Sequence, residues 1–131
     1  MRVYLVRHAE AAPGQPDELR PLTPAGRESA RRLGERLAGE ARVDAVLTSP
    51  LLRARETAEA IAKAAGVTAE PTDLLAPGAG DAELLAAVDG RGAVVVCVGH
   101  QPDCGRIAAA LAGGAEPPFP PGGIARLDLA V

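Results

Sequence analysis

Residues 3–6 (Val-Tyr-Leu-Val) and 93–98 (Ala-Val-Val-Val-Cys-Val) are runs of β-favouring side chains uninterrupted by any polar position. Without alternation, such runs predict strands buried on both faces, as in a parallel sheet covered by helices. Residues 44–48 (Asp-Ala-Val-Leu-Thr) read as the next strand, and residues 67–70 suggest a shorter one. Between the runs the apolar period lengthens. Thr23-Pro24 supplies a capping hydroxyl and a proline at the first helical position, and Ala30, Leu33 and Leu37 form the buried stripe of the helix that follows, with Gly39 as its expected stop. Its other face carries Arg27, Glu28, Arg31, Arg32, Glu35 and Arg36, an ordinary solvated surface with i,i+4 partners.

Ser49-Pro50 repeats the cap-then-proline signal and predicts a helix over 50–65, closed by Gly66, with Ala54, Thr57, Ala58, Ile61 and Ala65 facing inward. Residues 77–80 form a turn, and Asp81 caps a helix whose Leu84, Leu85 and Val88 point to the core. Pro102 opens a helix through Leu111, closed by Gly113-Gly114. The Pro-rich residues 117–121 lead to 124–129, which alternate as an edge strand does. Strand and helix in this rhythm predict an α/β fold, a three-layer αβα sandwich on a mostly parallel sheet with an edge strand. No repeat or linker divides residues 1–131, so one domain is expected.

Composition narrows the chemistry. The chain is 47% apolar, but 28 of its residues are alanine, so thin helices must pack against a Val/Leu sheet. A net charge of −3, with Tyr4 and Phe119 the only aromatic side chains, argues against nucleic acid, which needs cationic surplus and stacking surfaces. No stretch approaches the roughly 20 apolar residues of a membrane span, and none resembles a secretory leader. Two cysteines are too few for a disulfide framework, so a reduced, cytoplasmic protein is expected.

The chain has two histidines, and both stand just beyond a predicted central strand: Arg7-His8 after the first, Gly99-His100 after a later one. Ligands of open α/β sheets bind at the carboxyl ends of strands, so the two imidazoles reach one crevice if those strands are neighbours. Arg53, one turn into the second long helix, leans back toward the same end of the sheet. Arg55, about 200° further round, faces away. Residues 9–21 leave the presumed site as a long loop without apolar period, the kind that forms a lid or a substrate-facing wall.

Arg7-His8, Ser49-Pro50-Leu51-Leu52-Arg53-Ala54-Arg55-Glu56-Thr57-Ala58 and Val98-Gly99-His100 together resemble the histidine phosphatase, or phosphoglycerate mutase-like, superfamily. The small size, Arg7-His8-Ala9 and Arg20-Pro21-Leu22-Thr23 are most similar to its SixA-type phosphohistidine phosphatases. The resemblance implies that His8 is a nucleophile phosphorylated during turnover, with Arg7, Arg53 and His100 around the phosphoryl group. It also implies a phosphorylated substrate, with a phosphohistidine-carrying relay protein as the expected partner. The chemistry is sound independently: a neutral imidazole splits one hard displacement into two easier ones, and two guanidiniums match a dianion in charge and in hydrogen-bond geometry. No metal or cofactor is expected.

The chain departs from the family at the general acid. Many relatives carry a glutamate after the equivalent of Asp73-Leu74-Leu75, where this sequence reads Ala76-Pro77-Gly78. Asp17, Glu18 and Asp81 are the candidates left to donate a proton. An alcohol, with a conjugate-acid scale near water's pKa of roughly 15.7, leaves badly unprotonated. An imidazole, near 6.5, leaves far more easily. The sequence therefore favours phosphohistidine over a phosphate ester. The alternatives are a small-molecule phosphomonoesterase or mutase of the same superfamily and a phosphate-binding module without turnover. A cysteine phosphatase is excluded by spacing, because the positions six after Cys97 and Cys104 are Asp103 and Ala110 rather than arginine.

Overall fold

The three Val/Leu runs become the centre of one sheet, because each is too apolar on both sides to lie at an edge. The computed structural model describes residues 1–130. Its strands are β1 (Arg2–Arg7), β2 (Ala45–Thr48), β3 (Ala69–Pro71), β4 (Val94–Gly99) and β5 (Ile124–Asp128); its helices are α1 (Pro24–Glu40), α2 (Leu52–Ala65), α3 (Asp81–Val88) and α4 (Asp103–Ala112). The spatial order is β3-β2-β4-β1-β5, parallel throughout except for β5, which runs antiparallel to β1 at the edge.

Period-two alternation divides each central strand between two cores. Val3, Leu5, Leu47, Val95 and Cys97 pack against Leu84, Val88, Cys104 and Ile107 of α3 and α4. Tyr4, Val6, Val46, Val96 and Val98 pack against Leu33, Leu37, Ala54, Ala58 and Ile61 of α1 and α2. Helices on both faces make the expected three-layer αβα sandwich.

Four local expectations change. Gly39 does not stop α1, which runs on to Glu40 and ends where the Ala41 N–H meets the Leu37 carbonyl. An interior glycine costs only about 1 kcal/mol, and the Arg36–Glu40 pair at 3.1 Å spans it. The second long helix begins at Leu52 rather than 50. Gly80, not Asp81, is the N-cap of α3, its N–H held by the Glu83 carboxylate at 2.8 Å. Leu85 lies 39% exposed, since a two-turn helix buries only the narrow side holding Leu84 and Val88.

The long loop is also more structured than its composition suggests. Ala11 bridges Leu22, the Ala12 N–H reaches the Pro21 carbonyl at 2.8 Å, and Asp17–Leu19 form a 3-10 turn. The loop's first residues press on α1 at Gly26, where an added Cβ would stand 2.2 Å from the Glu10 carbonyl oxygen. Backbone lies on both sides of that contact, so neither partner can yield cheaply. Gly26→Ala is expected to lose about 2 kcal/mol, within the usual range for overpacking a tight interior. A urea midpoint equal to that of the parent protein would show that α1 and the loop separate freely.

Candidate active site

Strand register decides where the two histidines go. In the parallel β1–β4 pair Arg7 lies opposite Gly99, so the next residue on each strand, His8 and His100, leaves the sheet side by side. The ring centroids are 5.3 Å apart with planes tilted by 57°. On the other side of β4, Thr48 ends β2 opposite Val98, and the chain turns into α2 carrying Arg53. Three adjacent strand ends thus bring Arg7, His8, Arg53 and His100 together. His8, His100 and Arg53 are all buried.

His8 is held in one tautomer. Its Nδ1 lies 2.7 Å from the Ala9 carbonyl, which can only accept, so Nδ1 carries the proton and Nε2 keeps its lone pair. Burial lowers the His8 pKa below its ordinary 6.5; the Ala9 hydrogen bond opposes this, and the charges of Arg53, Arg7 and Arg20 reinforce it. His100 is pushed down to about 4, by burial first and then by His8 and Arg53. Its Nε2 is 2.8 Å from the Ser49 hydroxyl. Both rings are neutral at pH 7.

The two arginines are anchored differently. Arg7 donates from Nη1 to the Phe119 carbonyl at 2.9 Å, while its Nε is buried without a hydrogen-bond partner, alone in this among side-chain atoms of the described residues. Arg53 donates from Nη1 to the Asp17 carbonyl at 2.9 Å and pairs through Nη2 with the Asp17 carboxylate at 3.2 Å. Arg55 is half-buried and turned back to the Pro50 carbonyl at 3.0 Å.

The three carboxylates considered as proton donors fall in different places. Asp17 joins the cluster through Arg53 and Arg20, whose hydrogen bonds hold its pKa below the usual carboxylate range, in the form that accepts protons. Glu18 follows it on the exposed 3-10 turn, and Asp81 is exposed at the start of α3. Residues 76–79 carry no carboxylate of their own; the Gly78 N–H is held by buried Asp103 at 2.8 Å.

Three supporting side chains escaped the sequence reading. The Ser49 hydroxyl accepts the Leu51 N–H at 3.2 Å, the kind of bond a capping serine makes, and it also bonds His100. Thr57, on the inward stripe of α2, accepts the Ala9 N–H at 3.0 Å and donates to the Arg53 carbonyl at 2.8 Å, tying the residue after His8 to the turn carrying Arg53. A lone hydroxyl in a stripe otherwise made of Ala and Ile was the available signal. Arg20, which the sequence offers only as part of Arg20-Pro21-Leu22-Thr23, donates from Nε to the Ala12 carbonyl at 2.9 Å and from Nη1 to Asp17 at 3.0 Å. The cysteines play no comparable part: burial pushes the thiols of both Cys97 and Cys104 up to about 12, so they remain protonated.

A neutral imidazole with one free lone pair, flanked by guanidiniums and a second imidazole, can attack an electrophile that arrives as an oxyanion. Comparisons with known proteins identify relatives of the chain. The sequence profile of the histidine phosphatase superfamily (branch 1) matches residues 3–87. The phosphohistidine phosphatase SixA of Escherichia coli (strain K12) is 34% identical over 128 residues, covering 91% of this chain and 79% of that protein. An uncharacterized Picosynechococcus protein is 38% identical over 123 residues, covering 87% and 74%. A structure of the protein histidine phosphatase SixA complexed with tungstate superposes with a TM-score of 0.88 at 32% identity, covering 98% of this chain and 88% of that one.

Proposed function

The chain belongs to the histidine phosphatase superfamily (branch 1), and from that premise we propose that it is a phosphohistidine phosphatase acting through a covalent intermediate on His8. The observation that carries this reading is the Nδ1–Ala9 hydrogen bond, which leaves His8 Nε2 unprotonated. In the first step the Nε2 lone pair forms the new N–P bond as the bond from phosphorus to the leaving group breaks. Arg7 and Arg53 balance the charge of the phosphoryl oxygens, and His100 stands beside them as a donor where transition-state charge is spread. In the second step water attacks phosphorus from the opposite side, the His8 N–P bond breaks, and inorganic phosphate leaves with His8 regenerated. Arg7, Arg53 and His100 can carry that charge between them, so turnover is proposed to need no metal.

Phosphohistidine suits this site better than an ester. Residues 76–79 hold no acid, and Asp17 is paired to two arginines in its carboxylate form. An imidazole leaves without a strong acid; an alkoxide does not. The likeness to the Escherichia coli phosphohistidine phosphatase supports the same choice. The partner would then be a protein carrying phosphohistidine, and the unpaired, buried cysteines are compatible with a reducing cytoplasmic setting.

The deciding experiment compares kcat/KM for a histidine-phosphorylated protein and for an alkyl phosphate monoester such as phosphoserine. General-acid catalysis contributes about a hundredfold or more where it operates, so an enzyme without it should favour the phosphoramidate by about that factor. Faster turnover of the ester would replace this reading with that of a small-molecule phosphomonoesterase.

A further inference from the structure

The loop that leaves β1 carries an anion back into the pocket. One carboxylate oxygen of Asp17 lies 3.2 Å from Nη2 of Arg53, and the other lies 3.0 Å from Nη1 of Arg20. Arg53 is buried, whereas the Asp17 side chain is 59% exposed. A single carboxylate thus bridges two guanidiniums whose charges reach the imidazole of His8, while its own charge reaches His100. Arg20 is not free to swing away, because its Nε is fixed to the Ala12 carbonyl.

Bridging two guanidiniums with two oxygens is also what a phosphoryl group does, with more charge and a third oxygen to spare. The exposed carboxylate is the weaker ligand, since water competes for it and screens it. From this geometry we propose that Asp17 is a resident stand-in for phosphate. In the empty site it keeps Arg53 and Arg20 together; an arriving phosphoryl group displaces it and takes both, which makes Arg20 a third phosphate-binding guanidinium. Displacement frees the 3-10 turn to move while the Asp17 carbonyl keeps its hold on Arg53 Nη1, so the pocket stays organised during the exchange. The proposal rests on the phosphoryl-pocket reading above and adds to it a residue and an exchange of ligands.

Tungstate binding measured by calorimetry tests this without needing turnover. Asp17→Ala and Asp17→Asn should each bind tungstate about threefold to fivefold tighter, the modest gain expected on removing an exposed ionic competitor. Arg20→Ala should bind about tenfold weaker, as befits a lost charge-assisted contact. In the double variant the gain from removing Asp17 should shrink, because one of the two cations it occupies is gone. Unchanged or weaker binding by the Asp17 variants would overturn the stand-in role and make Asp17 a support for the arginines. Unchanged binding by Arg20→Ala would overturn the third contact. Phosphate labelling of His8, followed in parallel on the unsubstituted protein, keeps the two ideas separate: loss of label refutes the nucleophile, whereas a normal label with a flat tungstate series refutes the displacement.

Discussion

His8→Ala is expected to lower phosphate release by about four orders of magnitude or more and to remove the label that the unsubstituted enzyme acquires from a phosphorylated donor. That label should survive alkali and be lost in acid, the signature of a phosphorus–nitrogen bond. The fold should tolerate the change. The ring's hydrogen bond runs to the adjoining Ala9 carbonyl rather than across the molecule, and the ring packs against His100 rather than within either core beneath it. Acid should imitate the substitution reversibly. Protonation at Nε2 removes the attacking lone pair, and because burial and three arginines lower the His8 pKa, kcat/KM should hold from pH 8 to 7 and fall only below about 6.5. Residual activity in the alanine variant, or a decline already under way at pH 7.5, would remove His8 from the centre of the mechanism.

The strand-borne part of this site was legible because each functional residue follows a run that admits one reading. Residues 3–6 and 93–98 are too apolar to lie anywhere but mid-sheet, so His8 and His100 had to emerge at strand ends. That those ends are adjacent is a property of sheet order and register, β1 beside β4 with Arg7 opposite Gly99, and no local pattern encodes it. The orientation of Arg53 followed from helical geometry. The loop did not yield to the same methods. Its shape comes from contacts distant in sequence: the Leu22 N–H on Glu56 at 2.8 Å, Arg20 on the Ala12 carbonyl, and Gly26 against Glu10. None of these produces an apolar period. The second partner of Ser49 was hidden for a related reason, since a serine before a proline looks the same whether or not its hydroxyl also meets an imidazole.

Arg7 should prove nearly as sensitive as His8, and in a way that separates charge from shape. Its Nη1 is spent on the Phe119 carbonyl, and that loop is itself fastened to the end of β1, the Arg7 N–H on Gly123 at 2.9 Å and the Gly122 N–H on His8 at 3.0 Å. The guanidinium is therefore fixed in position while its Nε is buried with no acceptor. An unsatisfied buried donor costs on the order of 1–3 kcal/mol, so the folded chain carries a penalty at this position. Arg7→Lys keeps the cation but has no Nε donor and no planar fork, and kcat/KM is expected to fall about a hundredfold. Arg7→Met should lose about a thousandfold, the size seen when a donor to developing charge is removed, with the urea midpoint unchanged or raised because the orphaned donor has gone. A lysine variant with near-normal activity would mean that charge alone matters at this position.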